Sequence, residues 1–193
     1  MELIRCFSCV ALGHEVKRAL ERFVAELRRI APSLKWAPVP SLHITLKFCG
    51  EIPVDSVAAL SERYASALPN FPGFRISLEG LGCFPGLRNP SVIWIGIREG
   101  KKELASLFER IERESVAMGV PPERRSFSPH LTLARARFPE DVPVDLIGRI
   151  RDGTSPSFVV NVTETIFMKS VLTPSGPIYS PIQTYPFSGE TAT

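Results

Sequence analysis

Two stretches of the chain carry the same chemistry. Leu42-His43-Ile44-Thr45-Leu46-Lys47-Phe48 and Pro129-His130-Leu131-Thr132-Leu133-Ala134-Arg135 both read His, apolar, Thr, Leu. Each lies in a run of apolar and β-branched residues, which predicts a strand. Side chains two apart on a strand share a face and stand roughly 7 Å apart along it. His43 and Thr45 then point one way, while Ile44 and Leu46 point into a core. His130 and Thr132 repeat that geometry, with Leu131 and Leu133 buried. The chain has three histidines, and two of them occupy these copies. The copies lie 87 residues apart, which suits two half-domains meeting at a cleft. Two imidazoles facing one point offer a base and an acid near neutral pH, since free His titrates at about 6.5. The Thr beside each offers a hydroxyl to an anionic oxygen. That set suits a phosphodiester: one His takes a proton from water, and the other gives one to the leaving oxygen. A single His-x-Thr is a loose motif, because most such histidines are merely packed or exposed. The repetition carries the reading.

Composition narrows the setting. A chain of 193 residues can form one sizeable domain, or two small lobes sharing a core. The net charge of +3 is too small to argue for nucleic-acid binding alone, but it is compatible with a polyanionic substrate. No apolar run is long enough to span a bilayer, and Met1-Glu2-Leu3-Ile4-Arg5 lacks the layout of a signal peptide. No membrane partner and a cytoplasmic location are expected. Cys6 and Cys9 form a C-x-x-C. Residues three apart on a strand face opposite ways, and no second pair completes a zinc site. Reduced core thiols are expected, with no metal. Neither G-x-x-x-x-G-K nor G-x-G-x-x-G occurs.

The elements that must hold the motifs follow in order. Leu3 to Leu12 predicts a strand, ended by Gly13. From His14 to Ile30, Val16, Leu20, Phe23, Val24, Leu27 and Ile30 recur at helical spacing, with Lys17, Arg18, Glu21, Arg22, Arg28 and Arg29 on a solvated face. His14 is expected to be structural or exposed. Pro32, Pro38 and Pro40 predict an irregular or extended connector, with Trp36 packed in the core or lining the cleft. Asp55 is placed to cap a helix reaching about Leu68. Phe74 to Leu81 and Val92 to Ile97 alternate as strands, joined by a turn-rich loop from Gly82 to Pro90. Lys101 to Met118 predicts a second long helix, and Asp141 to Arg151 a short one containing Pro143. Phe158 to Leu172 predicts one or two strands, and Ile178 to Phe187 a last one. The expectation is one bilobal domain, 1–187, with a frayed tail, 188–193.

With these residues in place, the chain resembles the two-histidine phosphoesterases. More narrowly it resembles their RNA 2′,3′-cyclic phosphodiesterase branch, also called LigT-like 2′-5′ RNA ligases. The resemblance rests on both His-x-Thr motifs and on Arg5-Cys6-Phe7, Trp36, Gly50-Glu51 and Gly80-Leu81-Gly82-Cys83-Phe84-Pro85. It rests also on Val92-Ile93-Trp94, Phe127-Ser128 before the second motif, Ser170 to Gly176, and Tyr179. It implies an α+β fold of two pseudo-symmetric lobes, each an antiparallel sheet lining a central cleft with helices outside. It implies cofactor-free, metal-independent opening of a terminal RNA 2′,3′-cyclic phosphate to a 2′-phosphate, with 2′-5′ joining as the reverse reaction. His43 would be the general acid, His130 the general base, and Thr45 and Thr132 would hold the non-bridging oxygens. The partner would be RNA with cyclic phosphate ends, bound by a monomer. Other substrates compatible with the motifs are a small cyclic phosphate or 2′-5′ oligoadenylate. A non-catalytic module that binds RNA ends is the reading from outside enzymology.

The family pattern also carries an Arg at the position of Arg135. Strict alternation sets Arg135 opposite His130. Either the strand ends or bulges before it, or its side chain reaches around. By the same alternation Lys47 shares the His43 face and could contact phosphate, although a salt-bridged surface Lys is the plainer reading. Phe48 is expected in the core instead of as a stacking platform.

Overall fold

The computed structural model describes residues 2–174 and 176–188. Along the chain run β1 (Leu3–Ala11), α1 (His14–Ile30), β2 (Lys35–Trp36), β3 (His43–Pro53), α2 (Val54–Ala67), β4 (Phe74–Phe84) and β5 (Val92–Glu99). Then follow α3 (Lys101–Ala117), β6 (His130–Arg135), α4 (Val144–Arg151), β7 (Phe158–Val162), β8 (Glu164–Thr173) and β9 (Gly176–Pro186). The 87-residue offset of the two motifs extends beyond them. α3 matches α1 end for end at that offset, and β6 starts at that offset from β3. The fold therefore holds two copies of a strand–helix–strand–helix unit.

The strands form one antiparallel path in the order β7-β4-β5-β6-β3-β1-β8-β9, with β2 beside β6. β7-β4-β5-β6 is one half and β3-β1-β8-β9 the other. The expected two-lobed α+β arrangement is present, and its half-sheets meet at a single register pair, Ile44 with Leu131. Beyond that pair β2 takes over the edge of β6. Lys35 pairs with Arg135, Trp36 with Ala134, and Ala37 N donates to Leu133 O at 2.8 Å. A junction this narrow lets the halves splay and opens a cleft along β3 and β6.

The helices cover the opposite face. α1 and α4 pack over β7 and β4, while α2 and α3 pack over β3, with α2 also touching β1 and β9. α1 follows β1 of one half yet covers the other, and α3 crosses back in the same way. The apolar stripe of α1 is the one its spacing predicts, burying Leu20, Phe23, Val24 and Leu27. α3 buries Leu104, Leu107 and Ile111.

Three expectations need correction. Asp55 does not cap α2: Pro53 holds the N-cap position and Asp55 lies in the first turn, where its charge still favours the helix dipole. Pro143 likewise precedes α4 instead of interrupting it. The loop expected from Gly82 begins later, because β4 continues to Phe84. Of the expected tail, 189–193 lies outside the described residues, and Ser188 N donates to Pro69 O at 2.7 Å. Trp36 packs against the core, with Nε1 donating to Ala31 O, and His14 is exposed at the start of α1. All four cysteines are buried and free. Cys6 faces Cys49, whereas Cys9 lies near Lys17, and burial pushes the Cys9 thiol up to about 12. No helix among the described residues is long and apolar enough to cross a membrane.

Candidate active site

The narrow junction assembles the motif residues. Ile44 and Leu131 are fully buried on the helix side. Their neighbours His43, Thr45, His130 and Thr132 are half-buried on the other face. Continuing the antiparallel register from Ile44 and Leu131 sets His43 across from Thr132, and Thr45 across from His130. Directly opposed side chains have Cβ atoms roughly 5 Å apart, and diagonal ones roughly 7–8 Å. The two imidazoles thus occupy one diagonal of a four-residue cluster and the two hydroxyls the other. No other protein group among the described residues hydrogen-bonds either Thr hydroxyl.

A bulge in each strand decides what comes next. In β6, Thr132 pairs with Trp94 and Ala134 with Ile93, so Leu133 is the extra residue. Leu133 and Ala134 both turn inward, and Arg135 returns to the face of His130 and Thr132. The bulge is therefore what reconciles Arg135 with alternation. In β3, Thr45 pairs with Cys9 and Lys47 with Ser8, leaving Leu46 as the extra residue. Leu46 and Lys47 both turn inward, and Phe48 returns to the His43 face. This corrects two expectations. Lys47 is 2% exposed, not a surface residue, and ion-pairs with Glu112 at 2.7 Å while donating to Pro121 O at 2.7 Å. Phe48 is not in the core: it is 55% exposed on the cleft face, with a ring that a base could stack on.

Each imidazole is held in the same way. Nδ1 of His43 lies 2.8 Å from Ser41 O, and Nδ1 of His130 lies 2.7 Å from Ser128 O. A carbonyl only accepts, so Nδ1 carries the hydrogen in both rings and Nε2 is the nitrogen left to exchange protons. Aromatic rings fix the remaining freedom. Phe7 and Tyr179 lie 4.9 and 5.1 Å from the His43 ring, and Phe84 and Trp94 lie 5.0 and 6.1 Å from the His130 ring. Burial lowers the pKa of both histidines below 6.5, the carbonyl bonds oppose it, and a nearby cation lowers each further. That cation is Lys17 for His43 and Arg135 for His130. Among the described residues, no three His, Cys, Asp or Glu side chains gather as a metal-ligating group.

Sequence reasoning missed the aromatic walls and the part played by Lys17, which helical spacing sets on the solvated face of α1. One signal was available: Phe7 and Trp94 are also 87 residues apart, so the repeat places an aromatic at the same point beside each histidine. Trp94 needs Gly82 beneath it. A Cβ on Gly82 would overlap the Trp94 indole. Gly82→Ala must therefore displace Trp94, and with it the packing on His130. We expect a loss of about 2 kcal/mol in stability and a fall of about tenfold in kcat, read by thermal melting and by turnover.

Comparison with known proteins bears on the family and the fold. Residues 16–171 match the 2′-5′ RNA ligase superfamily. An Aeropyrum pernix protein named RNA 2′,3′-cyclic phosphodiesterase is 37% identical over 164 residues, covering 81% of this chain and 92% of that protein. One of the same name from Methanothermobacter thermautotrophicus is 30% identical over 184 residues, covering 94% and 98%. The crystal structure of E. coli LigT in apo form superposes with a TM-score of 0.76 over 97% of this chain and 99% of that one, at 23% identity, which speaks to the fold. A Thermus thermophilus crystal structure gives 0.73 at 28% identity, over 97% of this chain and all of the other. With the repeated motif, the paired half-sheets and a match that spans most of its length, this chain belongs to the 2′-5′ RNA ligase superfamily.

Proposed function

We propose that this protein is an RNA 2′,3′-cyclic phosphodiesterase that opens a terminal cyclic phosphate to a 2′-phosphate without a metal ion or other cofactor. The observation that carries the reading is the pair of imidazoles on one diagonal, each pinned through Nδ1 with Nε2 left to exchange protons. In the proposed reaction His130 Nε2 takes a proton from water as its oxygen attacks phosphorus. The bond from phosphorus to the 3′ oxygen breaks, and His43 Nε2 delivers a proton to that oxygen. Thr45 and Thr132 donate to the non-bridging oxygens, and Arg135 adds positive charge for the substrate from the neighbouring end of the cleft. With an RNA 5′-hydroxyl in place of water as the attacking group, the same steps form a bond from phosphorus to the 5′ oxygen, release the 3′ oxygen and join two ends through a 2′-5′ linkage. Relatives of the same name support the RNA substrate, and the free buried thiols suit a reducing cytoplasm. The protein acts as a monomer in this reading, because each chain carries both histidines.

The decisive measurement is the product from an oligoribonucleotide with a 2′,3′-cyclic phosphate end, incubated with chelator present. A 2′-phosphate is expected. A 3′-phosphate reverses the leaving group and overturns the assignment of the two histidines. Tight binding with no product leaves an RNA-end-binding module, and a small cyclic phosphate turned over in preference to RNA changes the substrate class.

A further inference from the structure

Two cations stand side by side beyond Thr132. Lys35 of β2 and Arg135 of β6 are directly opposed register partners, so their side chains leave the sheet on the same face. The neighbouring pair turns the other way: Ala134 is buried, and Trp36 packs against the core. Lys35 and Arg135 are both exposed, and neither joins any ion pair among the described residues. Like charges directly opposed across two strands destabilise the pairing, so folding does not account for them. The charge of Arg135 already reaches His130 and Tyr179. A third cation, Arg88, lies in the turn leading to Val92, the register partner of Arg135 on its other side.

The arrangement exists at one end of the cleft. Residues 122–123, which correspond to Lys35 and Trp36 at the 87-residue offset, form no strand. The counterpart of Arg135 at that offset is Phe48, which carries no charge. The cleft is therefore polarised, with an aromatic ring at one end and paired cations at the other. From Thr132 to Arg135 the partner strand advances two residues, roughly 7 Å. That is a step of the size between successive phosphates of an extended strand.

We propose that Lys35 and Arg135 form a second phosphate subsite, which grips the phosphodiester immediately upstream of the reacting cyclic phosphate. The preferred substrate is then an RNA strand of at least two nucleotides, lying across β2 and β6. This rests on the phosphodiesterase reading above and narrows its substrate.

The test compares a 2′,3′-cyclic mononucleotide with a cyclic-phosphate-ended trinucleotide, in wild type, Lys35→Ala and Lys35→Glu, across a range of salt. Wild type favours the trinucleotide. Lys35→Ala lowers kcat/KM for the trinucleotide about tenfold and leaves the mononucleotide within twofold. Its slope of log kcat/KM against log salt flattens by about 0.7, as expected when one phosphate of a single strand is no longer neutralised. Lys35→Glu lowers the trinucleotide rate further. Equal losses on both substrates, or no loss on either, overturn the subsite. Should wild type hydrolyse neither, the phosphodiesterase reading fails and the subsite is still decided by fluorescence anisotropy of a labelled trinucleotide ending in a 2′-phosphate. Lys35→Ala must then weaken binding with the same flattening of the salt slope, and unchanged binding refutes it.

Discussion

Replacing His130 by Ala lowers kcat on a cyclic phosphate end by at least about a hundredfold and leaves the fold intact. The ring is half-buried at the cleft, so its loss removes a proton acceptor and little core packing. His43→Ala has an effect of the same size, but the two variants differ in ways that identify their roles. A leaving group that departs without a proton, such as nitrophenolate from bis(p-nitrophenyl) phosphate, restores most of the rate to His43→Ala. It restores none to His130→Ala, which has lost its base. Their pH profiles separate as well. Burial foremost, with Arg135 and Lys17 adding to it, holds both histidines below 6.5 in the free protein. A base works above its pKa and an acid below its own, so the bell in kcat/KM centres below pH 6.5. A bound phosphate anion raises both values, so the bell in kcat lies at higher pH. His130→Ala loses the rising limb and His43→Ala the falling one. Near-wild-type turnover in either variant defeats the two-histidine mechanism.

What the sequence yielded follows the range over which each feature is decided. α1 was legible to the residue because six apolar side chains at helical spacing are a local signal. The histidine pair was legible because the motif occurs twice. The bulge in β3 was not, and the one in β6 was legible only as one of the ways to reconcile Arg135 with alternation. Nothing in Leu46-Lys47 or Leu133-Ala134 marks two consecutive inward side chains, since a bulge is set by the register of the partner strand. Lys47 tolerates burial because Glu112 and Pro121, far along the chain, meet it there. Breaking such a pair strands a buried charge, at a cost of roughly 3 kcal/mol. β2 was hidden for a related reason. Two residues between prolines form a strand only because β3 diverges and leaves the edge of β6 unpaired. Both failures fell on the faces of charged side chains, where one residue of slip exchanges cleft for core.

Thr45→Val and Thr132→Val should each lower kcat about a hundredfold with little change in KM. Valine keeps the β-branched shape that suits a strand, so the substitution removes a hydroxyl and almost nothing else. The cyclic phosphate binds as a monoanion, and charge on its two non-bridging oxygens grows as water attacks. A donor aimed at those oxygens is therefore worth more in the transition state than in the ground state, and losing one such donor costs about 10²–10³ in rate. The hydroxyls lie on opposite strands across the diagonal from the two imidazoles, and in the proposed reaction each faces its own oxygen. That arrangement makes a stereochemical demand. Sulfur accepts hydrogen bonds poorly, and a 2′,3′-cyclic phosphorothioate exists as two isomers, each with sulfur at one non-bridging position. Thr45→Val should lose most of its penalty on one isomer, and Thr132→Val on the other. In the double variant the two penalties should add on a logarithmic scale, because separate oxygens are served. Penalties that vanish on the same isomer would assign both hydroxyls to one oxygen, and rates within threefold of wild type would remove them from the reaction.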